Sequence, residues 1–182
     1  MRATPFSVEM GHLVDPIHQD DHVRGPDSAS VTLVEYGDYQ CPFCGAAYPN
    51  VEALINERGD SLRFVFRHFP LVNVHQYAEI AADFAEAAGA RGQFWRAHHW
   101  LYTHQSQLDA GHLRAVATQI DPDGGIAQEI ERHTYDDRIH RDFIGGIRSG
   151  VNGTPTFFIN GVRHDGGYSL PELRRAVDTA RG

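Results

Sequence analysis

The sequence predicts an α/β fold, and three observations carry that expectation. A strand-like run, Val31-Thr32-Leu33-Val34-Glu35-Tyr36, leads into a helix-like run with Tyr48, Val51, Leu54 and Ile55 at helical spacing. Leu62–Arg67 then alternates Leu62, Phe64 and Phe66 with Arg63, Val65 and Arg67, which completes a βαβ unit with an expected right-handed parallel crossover. Far downstream, Thr156–Ile159 and Val162-Arg163-His164 read as strands joined by Asn160-Gly161, a dipeptide favoured in type I′ hairpins.

Each element follows from local chemistry. Residues 1–30 contain Asp20-Asp21-His22 and Gly25-Pro26-Asp27 and read as an arm or loop. Pro42 suits the first helical turn, where its missing N–H removes a donor that has no partner. Residues 75–150 read as helices: Tyr77, Ile80, Ala81, Phe84, Ala85 and Ala88 form one apolar stripe, and Leu113, Val116, Ala117 and Ile120 another. Gly89–Gly92, His104–Gly111 and Asp121–Gly125 supply breaks, and Ile139, Phe143 and Ile147 mark a returning helix. Phe94, Trp95 and Trp100 read either as core or as the wall of a lipid-like or peptide groove near the helical segment. Pro155 interrupts a strand-like run, either as a turn before the strand or through a cis Thr154–Pro155 bond. Ser169-Leu170-Pro171-Glu172 has the form of a capping box opening the last helix. The expected organisation is an arm over 1–30, a core from 31–74 and 151–182, and a helical segment over 75–150.

Composition permits this plan. A chain of 182 residues with 41% apolar content can bury one core and carry an insertion. No apolar stretch approaches the ~20 residues that span a bilayer, so no membrane insertion is expected. With 16 basic and 24 acidic residues the formal charge is −8, which argues against nucleic-acid binding. Met1-Arg2 is followed by prolines, charges and histidines rather than a signal-like apolar run, so a cytoplasmic location is expected; a trimmed precursor would make it periplasmic or otherwise extracytoplasmic.

The chemistry concentrates in Cys41-Pro42-Phe43-Cys44, which holds the only two cysteines. Two thiols so close can form and reopen a small disulfide, whereas a structural bridge normally joins distant segments. A zinc half-site needs two more ligands, and His99…His104 lies far downstream, so no metal is expected at the motif. The first cysteine falls at a helix N-terminus, where free N–H groups and the dipole favour a thiolate.

Glu35-Tyr36-Gly37-Asp38-Tyr39-Gln40-Cys41-Pro42-Phe43-Cys44-Gly45, together with Gly153-Thr154-Pro155-Thr156-Phe157-Phe158-Ile159-Asn160-Gly161, resembles the DsbA-like branch of the thioredoxin superfamily. The resemblance runs from about Asp20 to the C-terminus. More narrowly it is to the thioredoxin-like module found alone or fused to sodium/proton antiporters. It implies a thioredoxin-like fold with an inserted α-helical domain. It also implies that Glu35 occupies an acidic position used in proton transfer, although the residue can equally be an ordinary strand-end carboxylate. Asp38 reads as a solvated loop charge. Phe43 stands where the best-known periplasmic oxidant of the family has histidine. Phenylalanine neither donates a hydrogen bond nor carries charge, so a strongly oxidising potential is not expected.

The leading expectation is a protein disulfide oxidoreductase. Cys41 would attack and Cys44 resolve, Glu35 would move a proton, and the Thr154 backbone, held by Pro155, would pair with an extended peptide. Its partners would be protein or peptide thiols and disulfides and an unidentified redox partner, with no cofactor. Two alternatives remain open: a glutathione-linked transferase or isomerase, and a non-enzymatic redox sensor. His68, His75, His98 and His99 receive no catalytic role.

Overall fold

The computed structural model describes residues 11–181; the start of the expected arm, over 1–10, lies outside the described residues, as does Gly182. Five strands form one sheet: β1 (His22–Arg24), β2 (Val31–Gly37), β3 (Leu62–His68), β4 (Thr156–Ile159) and β5 (Val162–His164), in spatial order β1-β3-β2-β4-β5. The helices are α1 (Pro42–Arg58), α2 (Ala78–Gly89), α3 (Phe94–Thr103), α4 (Ala110–Ile120), α5 (Gly125–Glu131), α6 (Asp136–Arg148) and α7 (Leu170–Ala180). β2 and β3 are parallel and joined through α1, as the alternation predicts. β4 lies antiparallel on the other side of β2, with Glu35 opposite Phe157. Asn160 and Gly161 have φ of 48° and 80°, the left-handed pair that a type I′ hairpin demands.

The two-residue strand period divides the apolar side chains between two cores. Leu33, Phe64, Phe66, Phe157 and Ile159 pack on one face against residues of α1, α2, α3 and α7. Val34, Tyr36, Val65 and Phe158 pack on the other face with Phe69 and Phe143, under α6. Glu35 shares its parity with Leu33, which puts it on the α1 side. Gly146 lets α6 approach closely, since a Cβ there would meet the Phe69 ring at 2.7 Å and Tyr36 at 3.0 Å. Ile147, expected in the apolar stripe of this helix, is instead 50% exposed. Ile139 and Phe143 are the residues of that stripe that turn inward.

The segment read as an arm or loop contributes to the sheet. β1 pairs antiparallel with β3 at one edge, while His12 bridges Val162 at the opposite edge. Between these contacts Leu13 and Ile17 cross the second face. Arg67 anchors the crossing: its buried guanidinium donates to both Asp21 carboxylate oxygens at 3.1 and 2.8 Å, to the Asp15 and Pro16 carbonyls at 2.9 and 2.5 Å, and to the Tyr36 hydroxyl at 3.0 Å. The segment thus covers the outer side of β3 and makes one bridge to the edge strand β5. At the far end, Ser169 is the N-cap of α7, but its hydroxyl bonds the Glu172 carboxylate and no backbone N–H.

Candidate active site

Cys41 is the N-cap of α1, in extended conformation, and Pro42 is the first helical residue. The backbone N–H groups of Phe43 and Cys44, which have no intrahelical acceptor, are free to face the Cys41 sulfur. Both cysteines are free thiols; Cys41 is 3% exposed and Cys44 fully buried. Across from them runs the loop preceding β4. Its Thr154–Pro155 bond is cis, and the Thr154 carbonyl accepts from the Cys41 thiol at 3.3 Å. The fold thus joins the two distant motifs.

The two sulfurs have opposite acidities. The Cys41 pKa is lowered to about 5, first by a hydrogen bond from Cys44, then by the Thr154 side chain and the N–H groups of Cys44 and Phe43, against the opposing effect of burial. The Phe43 side chain, 62% exposed, contributes none of this. Burial, the Cys41 partner and the Glu35 charge push Cys44 well above an ordinary thiol. Glu35 lies buried beneath α1, and its Oε1 has no hydrogen-bond partner among the described residues. Burial, helped by the charges of Glu52 and Cys41, raises its pKa to about 8.

Asp38 is not a solvated loop charge. It is buried and accepts from the Gln40 N–H at 2.8 Å, the Leu71 N–H at 2.9 Å and His75 Nδ1 at 2.7 Å. The loop leaving β2 has backbone donors to satisfy away from water, and this carboxylate serves them. Sequence reasoning also passed over Gln105, in the short 3₁₀ turn Gln105–Gln107 after α3. Its Nε2 donates to the carbonyls of Tyr39 and Cys41, each at 2.8 Å. The one signal in the sequence was Gly45: a Cβ there would sit 2.1 Å from Gln105 Oε1.

The histidines serve other groups. His98 Nδ1 pairs with the Tyr39 hydroxyl at 3.0 Å, His99 Nδ1 with the Tyr48 hydroxyl at 2.7 Å, and His68 Nε2 with Glu86 at 2.7 Å. An open groove of about 630 Å³ begins at Gly45, just past Cys44, and runs along Tyr48, Pro49, Glu52, His99 and Tyr102. No described helix is long and apolar enough to cross a membrane.

A family model described as Thioredoxin matches residues 18–179. Among curated relatives, Na(+)/H(+) antiporter NhaA 1 of Salinispora arenicola is 45% identical over 173 residues, covering 92% of this chain and 26% of that protein. The antiporter NhaA of Herminiimonas arsenicoxydans is 36% identical over 170 residues, again covering 92% of this chain and 26% of that protein. The chain thus spans about a quarter of the length of these relatives. Among solved structures, a thioredoxin-like oxidoreductase from Silicibacter pomeroyi superposes with a TM-score of 0.78 at 26% identity, covering 90% of this chain and 94% of that one. Oxidised BdbD from Bacillus subtilis gives a TM-score of 0.78 at 21% identity, with coverage of 87% and 91%. Wolbachia pipientis alpha-DsbA1 gives 0.78 at 23% identity, with coverage of 93% and 94%.

Proposed function

The chain belongs to this thioredoxin family, with DsbA-like structural neighbours and antiporter-associated relatives, and from that premise we propose that it is a thiol–disulfide oxidoreductase acting on protein substrates through Cys41 and Cys44. The observation that carries the reading is the contrast between an acidic Cys41 thiol at a helix N-terminus and a buried, much less acidic Cys44 beside it.

In the reductive direction, the Cys41 thiolate attacks one sulfur of a substrate disulfide. The substrate S–S bond breaks, a mixed disulfide forms at Cys41, and the first substrate sulfur leaves as a thiolate that takes up a proton from solvent. Cys44 then loses its proton to Glu35, attacks the Cys41 sulfur and expels the second substrate thiolate. The substrate gains two electrons, and the enzyme is left with a Cys41–Cys44 disulfide. The same steps reversed oxidise a dithiol. A separate thiol system must reset the pair. The substrate segment adds along the Thr154 main chain like an extra strand, while exposed Phe43 offers it an apolar contact.

The test is trapping. Cys44→Ser should accumulate mixed disulfides with a peptide disulfide and Cys41→Ser should not, whereas wild type should turn over repeatedly with a dithiol reductant. Equal trapping by both variants, or a single change of state with no turnover, would remove this function.

A further inference from the structure

The helical insertion holds a second cluster of reactive side chains, remote from the thiols in sequence. Asp83 on α2 is 2% exposed, yet its Oδ1 has no hydrogen-bond partner among the described residues. The Oδ1 of Asp136, at the start of α6, also has no hydrogen-bond partner among the described residues, although the Asp136 side chain is 46% exposed. His133, between α5 and α6, places Nδ1 3.4 Å from that same Asp136 oxygen. One ligand atom from each of Asp83, His133 and Asp136 lies within 4.8 Å of the others.

Two carboxylate oxygens this close repel, and the buried Asp83 Oδ1 has no donor among the described residues to offset its lost hydration. Either a shared proton or a cation resolves such a pair. A ring nitrogen beside two carboxylates is a donor set that suits zinc better than the all-oxygen preference of calcium or magnesium. Tetrahedral ligands at ~2.0–2.2 Å from zinc stand about 3.3–3.6 Å apart, and the 3.4 Å between His133 Nδ1 and Asp136 Oδ1 matches that spacing. A cavity of about 330 Å³ lined by Asp83 and His133, with Glu79, Glu131 and Arg114 also on its wall, gives an ion a route to two of the three ligands.

A different trio, His22, His68 and Glu86, has comparable spacing. There both ring nitrogens already bond one Glu86 oxygen at 2.7 Å, so no donor is left wanting. The unsatisfied cluster is the better ligand site. We propose that Asp83, His133 and Asp136 bind a zinc-like divalent transition-metal ion that ties α2 to the α5–α6 junction.

The test is zinc titration by calorimetry with metal content measured after gel filtration, using the full chain carrying Cys41→Ser and Cys44→Ser so that the thiols take no metal. The expected result is one zinc per chain, with a rise in melting temperature on binding. Asp83→Asn and His133→Gln, which keep size and polarity, should each weaken binding at least tenfold without unfolding the apo protein. The assignment is overturned if the thiol-free chain takes up no zinc, if both variants bind as tightly as their parent, or if His68→Gln abolishes binding instead.

Discussion

Two thiols three positions apart sit on opposite sides of neutrality because one receives hydrogen bonds at a helix end and the other is buried behind it. Iodoacetamide should therefore label Cys41 of the reduced protein with a pH midpoint near 5, and Cys44 at least about tenfold more slowly. A Cys41 midpoint near the ordinary ~8.5 of a free thiol would show that the helix-end hydrogen bonds do not act. Glu35 makes a different prediction. Its folded pKa lies above its unfolded value, so the unfolded chain loses that proton first, and stability falls as pH rises from about 4.5 to about 8. Glu35→Gln removes this penalty. Urea melts should show little difference near pH 4.5 and a gain for the variant approaching ~3–5 kcal/mol at pH 8. The same substitution should slow release of substrate from the Cys41 mixed disulfide while changing Cys41 alkylation less. The site's residues were readable to the extent that their chemistry is local. Cys41, Cys44 and Pro155 sit in short motifs, and Glu35 has strand parity with Leu33. Asp38 was misread because its three donors come from Gln40, Leu71 and His75, two of them remote in sequence.

At the scale of elements, hydrogen bonds hold the motif loop to the insertion. Gln105→Ala leaves the Tyr39 carbonyl without that donor, while Cys41 keeps the Gly45 N–H at 3.1 Å. The expected loss is about 1–2 kcal/mol in chemical denaturation, with faster Cys41 labelling as the loop loosens. Unchanged labelling would mean that helix α1 alone positions the sulfur. Asp21→Ala should cost more, on the order of ~3–5 kcal/mol, because Arg67 would remain buried without its carboxylate. Strands β2 and β3 were legible from their alternation and β4–β5 from Asn160-Gly161. β1 was not, since three residues of mixed polarity carry no period and only the β3 edge selects them. Alternation also could not tell that Arg67 points towards a carboxylate 46 residues upstream.

For the whole molecule, one sheet is shared by two cores, so damage far from the sulfurs should still unfold everything together. Gly146→Val places methyl groups against Phe69 and Tyr36 and should lower stability by about 1–3 kcal/mol, with far-UV and near-UV signals melting at the same temperature. Separate transitions would show that the face under α6 folds independently. The sheet order has a further consequence, for synthesis. A ribosome delivers β2 and its parallel neighbour early, but β4, which closes the other side of β2, begins only at Thr156. Throughout translation of the helical insertion, the central strand therefore has one bare edge, rich in Val, Leu and Tyr, and edges of that kind recruit other chains. Nascent chains stalled just before β4 emerges should bind holdase chaperones, and those stalled after β5 has cleared the exit tunnel should not.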